Sequence, residues 1–316
     1  MMKIIHVVSV SGGKDSTVTA NIAIERVGRG NCRFIYCDTG NEHQAVYDYL
    51  DYLEVRLGVK IERLRADFSA RVLAKRKFIA NDQRNGRQNG KKRRWTNKAK
   101  RRALGVLYPS GNPFLDLCLW KGRFPSRKAQ FCTESLKKNM AVAYQMGWLD
   151  AGYQVVSWQG VRRDESANRK DAKKAERMAH GFYAFRPLVE WTAEQVFDYH
   201  RERGIEPNPL YKMGMSRVGC MPCVNVNKNE LRQIADRFPE VIARINDWEW
   251  KVGQASKQGY SSLLCDKDDR KNRQDIFADL NINSRVRWAK TTRGGAAVRL
   301  IHIFGFPRLC VGLWVV

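Results

Sequence analysis

The chain has 316 residues, 43% hydrophobic and 10% aromatic, enough to bury a sizeable core and too apolar for a wholly disordered chain. Its formal charge of +25 is the outlier: it favours polyanionic partners or anionic substrates, with a merely solvated basic surface as the plain alternative. The apolar tail 298–316 is interrupted by Arg299, His302, Pro307 and Arg308, which argues against a membrane span.

The first ten residues, MMKIIHVVSV, read as a buried strand running into a glycine turn, not as a secretory leader, so a cytoplasmic location is expected. Residues 4–9 form that strand, Ser11-Gly12-Gly13-Lys14-Asp15-Ser16 the turn, and 17–27 a helix. A second strand over 33–36 ends at Cys37-Asp38-Thr39-Gly40, a helix spans 42–57, and 59–64 suits a third strand. Such alternation predicts an α/β fold with a doubly wound parallel sheet. Residues 81–102 break the pattern with dense Lys and Arg blocks and read as a surface loop or partly helical insertion. The α/β pattern returns with a strand over 153–159 and a helix over 192–203, and residues 228–251 are amphipathic and helical. The expected organisation is a nucleotide-binding α/β domain over 1–205 with a basic insertion at 81–123. A cysteine-bearing helical region over 206–295 and a tail over 296–316 follow.

A loop between a parallel strand and its helix lies at the carboxyl end of the sheet, where ligands bind. Gly12 and Gly13 let the backbone turn tightly and aim N–H groups at an anion, and the helix start adds its positive dipole end. Ser11, Ser16 and Thr17 offer hydroxyls and Lys14 a charge. The Walker A spacing is not met, which excludes a P-loop NTPase. After the strand at 153–159, Arg162, Arg163 and Arg169 are placed to complete an anion site. Asp164 and Glu165 would pair with them or bind Mg²⁺ with substrate phosphates.

Four ordered motifs carry a family resemblance. SVSGGKDST resembles the pyrophosphate-binding motif of N-type ATP pyrophosphatases and phosphoadenosine phosphosulfate (PAPS) reductases, in the adenine nucleotide α-hydrolase-like superfamily. CDTGNEHQAVYDYL, FPSRKAQFCTESLK and WQGVRRDESANR resemble that family's second strand end, its Cys-Thr-x-x-Leu-Lys element and its Gly-x-Arg segment. The resemblance implies ATP or PAPS as nucleotide, held by Ser11, Gly12, Gly13, Lys14, Asp15, Ser16, Asp38, Thr39, Glu42, Gly160 and Arg169. Lys14, Asp15, Arg162 and Arg163 would then act by positioning and charge neutralisation.

Gly219-Cys220-Met221-Pro222-Cys223 brings two sulfurs to one turn, as a metal-ligand or redox pair or as plain reduced thiols. Cys132 is a third candidate ligand, and Cys265 or Cys310 a fourth, for either a [4Fe–4S] cluster or zinc. Cys32, Cys37 and Cys118 lie in apolar surroundings and read as core. Residues 186–223 and RWAKTTRGG at 287–295 resemble PAPS-reductase-like proteins and the sulfur-transfer enzymes of DNA phosphorothioation, which implies a cysteine-bound iron–sulfur cluster and a sulfur donor protein. The likeness stops after Gly295. The Glu-Cys-Gly-Leu-His nucleophile motif of thioredoxin-dependent PAPS reductases does not occur, so a thioredoxin-linked reductase would need Cys132 or Cys310 instead. Within 84–102, Trp95 between basic blocks suits base stacking, with DNA or tRNA as acceptor. The rival reading is a nucleic-acid-binding protein whose nucleotide site is vestigial.

Overall fold

The computed structural model describes residues 3–88, 90–92, 94–264 and 280–292. Cys265, Cys310 and the tail 296–316 lie outside the described residues. Three strands start the sheet, β1 (Ile4–Ser9), β2 (Cys32–Asp38) and β3 (Ile61–Arg65), joined through helices α1 (Lys14–Val27) and α2 (Gln44–Leu57). Helix α3 (Ser69–Ala80), a two-residue hairpin β4 (Arg87–Gln88) and β5 (Lys91–Lys92), and helices α4 (Asn97–Leu104) and α5 (Pro113–Lys121) follow. A short helical turn α6 (Phe131–Thr133) passes through a π-helical turn (Glu134–Lys138) into α7 (Asn139–Asp150). Strands β6 (Gln154–Trp158), β7 (Ala175–Arg177) and β8 (Tyr183–Phe185) complete the sheet. The chain ends its described part with α8 (Ala193–Glu202), α9 (Pro209–Lys212), α10 (Lys228–Arg237), α11 (Pro239–Ala255) and α12 (Ile282–Ala289).

The sheet runs β3-β2-β1-β6-β8-β7, parallel throughout except for edge strand β7. Strand β1 has β2 on one side and β6 on the other, so the chain reverses its winding there and opens a crevice at the carboxyl ends of β1 and β6. Alternation along β1 separates two cores. Val8 faces a large apolar cluster with Val18, Leu50 and Leu53, while Ile5 and Val7 face Val155, Phe182 and the α7 side chains Val142 and Trp148. The large cluster also holds Leu231, Ile245 and Ile282, so the cysteine-bearing region packs on the same core as the sheet.

Two expected boundaries move for local reasons. The single helix over 228–251 is two helices, because Pro239 cannot donate into a continuing ladder and starts α11 at N1. Helix α1 begins at Lys14, inside the motif, so the loop's last residues form the helix's first turn. Among the described residues no helix is long and apolar enough to cross a membrane.

Candidate nucleotide and thiol site

The turn after β1 is held from within. Ser11 N–H donates to Ser16 Oγ at 3.0 Å, and Ser16 Oγ donates to Gly13 O at 2.9 Å. Gly12 has φ +72°, and a Cβ there would stand 3.0 Å from Val46 Cγ1, so both conformation and space require glycine. The C-terminal half braces the turn from outside. Tyr211 OH accepts from Lys14 N–H at 3.1 Å, Asn208 Nδ2 donates to Gly12 O at 3.2 Å, and His200 Nε2 faces Lys14 O at 3.1 Å. Gly160, just past β6, lies so close to α1 that a Cβ would meet Asp15 C, Asp15 O and Ser16 N at 2.9 Å.

With the turn so fixed, no protein acceptor among the described residues meets the backbone N–H groups of Gly12, Gly13, Asp15 and Ser16. Four N–H groups at a helix start, with the dipole behind them, form a nest for oxyanions. Lys14 reaches Asp15 Oδ2 at 3.1 Å and lies over the Phe197 and Tyr211 rings. Arg162, 3% exposed, pairs with Asp15 and with Asp164.

The arginine cluster is not gathered at the loop as the sequence suggested. Arg163 donates to Ala172 O at 3.0 Å and pairs with Glu190 at 3.5 Å, and Arg169 pairs with Glu165 one helical turn away. Glu190 and the Ala172 carbonyl take up Arg163, and Glu165 takes up Arg169. Only Arg162 abuts the loop, and there it acts through Asp15. Asp164 and Glu165 are thereby engaged with arginines.

The second motif is tied into the protein itself. Asp38 Oδ1 accepts from Gly40 N–H and Tyr47 OH, both at 2.8 Å, and so shapes the turn. Buried Thr39 donates to Glu42 at 2.7 Å, and Cys220 Sγ lies 3.4 Å from Thr39 Oγ1 and 3.5 Å from Glu42 Oε1. Asn41 ties the same turn to the CxxC backbone: Met221 N–H donates to its carbonyl at 2.7 Å, and its side chain donates to Pro222 O at 3.1 Å. Thr39 and Glu42 therefore hold a cysteine. That segment passes the loop too, since Val218 O lies 3.8 Å from a Cβ built on Gly13.

Lys137 stands among the sulfurs. The Cys220 sulfur foremost, against the cost of burial, and then Glu42, Cys223 and Cys132 hold its ammonium well above the usual lysine range. Burial pushes the Cys220 thiol up to about 12 despite Lys137, with Glu42 adding to the rise. Burial and then Cys223 raise Cys132. Tyr36, 3% exposed, has a hydroxyl with no partner, and burial followed by Glu42 pushes it far up. Sequence reasoning missed Lys137, although it closes the Cys-Thr-x-x-Leu-Lys element, and missed Tyr211, His200 and Asn208, which bear no charge to mark them.

Cys132, Cys220 and Cys223 influence one another, but among the described residues no three His, Cys, Asp or Glu side chains are disposed to hold a metal ion. Cys265, the expected fourth ligand, falls outside the described residues. Cys118 is fully buried and Cys32 nearly so, as core residues, whereas Cys37 is half-buried with its thiol on Lys137 O at 3.6 Å.

The model of the phosphoadenosine phosphosulfate reductase domain matches residues 5–226. The chain is 40% identical over 322 residues to an uncharacterised 37.8 kDa protein of Escherichia phage 186, covering 98% of this chain and 95% of that one. It is 32% identical over 101 residues to adenosine 5'-phosphosulfate reductase of Rhizobium tropici, covering 32% of this chain and 51% of the enzyme. A solved PAPS reductase from Candida auris aligns with a TM-score of 0.41 at 15% identity, over 68% of this chain and 80% of that chain.

Proposed function

We propose a function from one premise: the chain belongs to the phosphoadenosine phosphosulfate reductase domain family. It is an enzyme that binds an adenylate-containing nucleotide, ATP or a sulfonucleotide, with the phosphate or sulfate oxygens in the nest of Gly12, Gly13, Asp15 and Ser16. Thiol chemistry follows at Cys220, with Cys223 and Cys132 alongside, in sulfur transfer or sulfonucleotide reduction. The observation that carries this reading is the adjacency of the nest of backbone N–H groups to the segment bearing Cys220, whose sulfur Thr39 and Glu42 contact.

The residues divide the work in physical terms. The nest supplies fixed N–H dipoles that need no reorganisation when charge develops on a phosphoryl or sulfuryl oxygen. Arg162 positions Asp15 and through it Lys14. Lys137 is a half-buried cation that favours thiolate at Cys220, opposing the burial that disfavours it. A nucleic-acid binder with a vestigial nucleotide site gains no support here, because the loop keeps its left-handed glycine and the braces from Tyr211 and Asn208.

The test is anaerobic incubation of the full chain and a thiol reductant with adenosine phosphosulfate, PAPS or ATP, following sulfite, AMP and pyrophosphate. Sulfite with an adenosine phosphate product would mark reductive chemistry, and AMP with pyrophosphate would mark adenylation. Release of neither by wild-type protein, or equal release by Cys220→Ser, contradicts the reading.

A further inference from the structure

A second concave surface lies away from the nucleotide loop, between α3, α5 and the basic insertion. It is a cavity of about 400 Å³ lined by Arg71, Lys75, Phe78, Ile79, Trp95 and Trp120. Its interior offers no free charge. Lys75 donates to Leu119 O at 2.6 Å and to Ala255 O at 3.2 Å, and burial pulls its ammonium down to about 8. The rim is different. Arg71 lies 4.5 Å over the Trp120 ring and Lys121 4.1 Å from it. Lys121 also lies 5.9 Å from the Phe131 ring, and Arg123 lies 5.5 Å from it. Arg71, Lys121 and Arg123 are exposed and make no ion pair among the described residues. Phe78, on the same rim, is 50% exposed.

We propose that this face binds single-stranded nucleic acid, one base entering the pocket between α3 and α5 while Arg71, Lys121 and Arg123 meet the backbone phosphates. Rings set among cations match a polymer in which flat faces alternate with single negative charges, and a base that enters the pocket must be free of a duplex. An acidic peptide would use the cations and leave the rings and the apolar slot unexplained. The net charge of +25 supplies the long-range attraction. The path ends at Phe131, next to Cys132, so a strand on it would run toward the thiols.

This placement differs from the one expected within 84–102. Trp95 is 8% exposed and lines the pocket, so its indole does not face solvent for stacking, and its backbone N–H donates to Asp82 Oδ2 at 2.8 Å. Lys100 donates to Ala80 O and Asp82 O, and Arg102 to Gln254 O and Ser256 O, which fastens the insertion to the body of the protein.

The inference stands apart from the nucleotide-loop reading, and either can fail alone. The experiment is fluorescence anisotropy of labelled oligothymidylate, oligouridylate and a duplex with the full chain, between about 50 and 200 mM salt. Single strands should bind, with affinity falling as salt rises, and the two oligomers decide between DNA and RNA. Phe78→Ala and Trp120→Ala should each weaken binding roughly five-fold or more. Arg71→Ala should lower the salt slope by about 0.7. Binding of ATP at the loop should be unchanged in all three variants. Phe78 and Arg71 are surface positions, so those two variants keep the test informative if Trp120→Ala does not fold. No single-strand binding, affinity unmoved by Phe78→Ala and Arg71→Ala, tighter binding of duplex, or binding of anionic vesicles alone would overturn it.

Discussion

Gly160→Ala is a small substitution with a large expected effect. The added Cβ would stand 2.9 Å from Asp15 C, Asp15 O and Ser16 N, where ordinary contact begins at 3.4 Å, so the first turn of α1 must recede by about 0.5 Å. All three atoms are backbone, and no flexible side chain can absorb the shift. Overpacking of this kind costs about 1–3 kcal/mol, a few degrees in melting temperature. The moved atoms include Ser16 N, one of the four N–H groups of the nest. A charge-assisted hydrogen bond near 2.8 Å lengthened by about 0.5 Å reaches the edge of useful geometry. Losing one such bond costs about 1.5–3 kcal/mol, which is roughly ten-fold to a hundred-fold in nucleotide affinity. Calorimetric titration with a thermal melt on the same sample measures both effects. A Gly160→Ala protein with wild-type affinity and melting temperature would refute the close approach of β6 and α1.

Gly147→Ala, in exposed mid-helix of α7 with open space at its Cβ, should instead stabilise by about 1 kcal/mol and leave nucleotide affinity alone. Tyr211→Phe removes the acceptor of Lys14 N–H and should weaken nucleotide binding several-fold at a stability cost of about 1 kcal/mol, read by titration and melting. Glu249 carries the pH dependence. Burial raises its carboxyl to about 7, against the N–H groups of Ile282 and Leu263 at 2.9 Å and the hydroxyl of Ser262. The native state therefore binds this proton more tightly than the unfolded chain, so its contribution is fully present below the unfolded value near 4.5 and is lost as pH rises through about 7. That loss amounts to about 3 kcal/mol. Glu249→Gln should show a constant offset but lack that fall in denaturant melts between these pH values, and parallel curves would contradict it.

The first half of the sheet was legible because glycine and β-branched runs mark strand, turn and helix within a few residues of each other. Helix α5 was not, since PFLDLCLWK buries all but its last two residues and so has no polar face to set a period. Strands β7 and β8, three residues each, are too short to alternate. At the site, Ser11 to Ser16 and Gly160 come together as their motifs suggested. Motif order could not tell that Thr39 and Glu42 face Cys220, a contact between residues 178 positions apart. Nor could it tell that Glu190 and Glu165 take up Arg163 and Arg169. Side-chain partners chosen across the fold leave no trace in local spacing.

The most direct measurement is calorimetric titration of ATP, adenosine phosphosulfate and PAPS into the full chain and into Gly12→Ala, whose Cβ would strain a left-handed residue beside Val46. Saturable binding of at least one nucleotide, weakened roughly ten-fold or more in the variant, is the expected result. If none of the three binds, or if one binds both proteins equally well, the SGGKDS turn is not the nucleotide site.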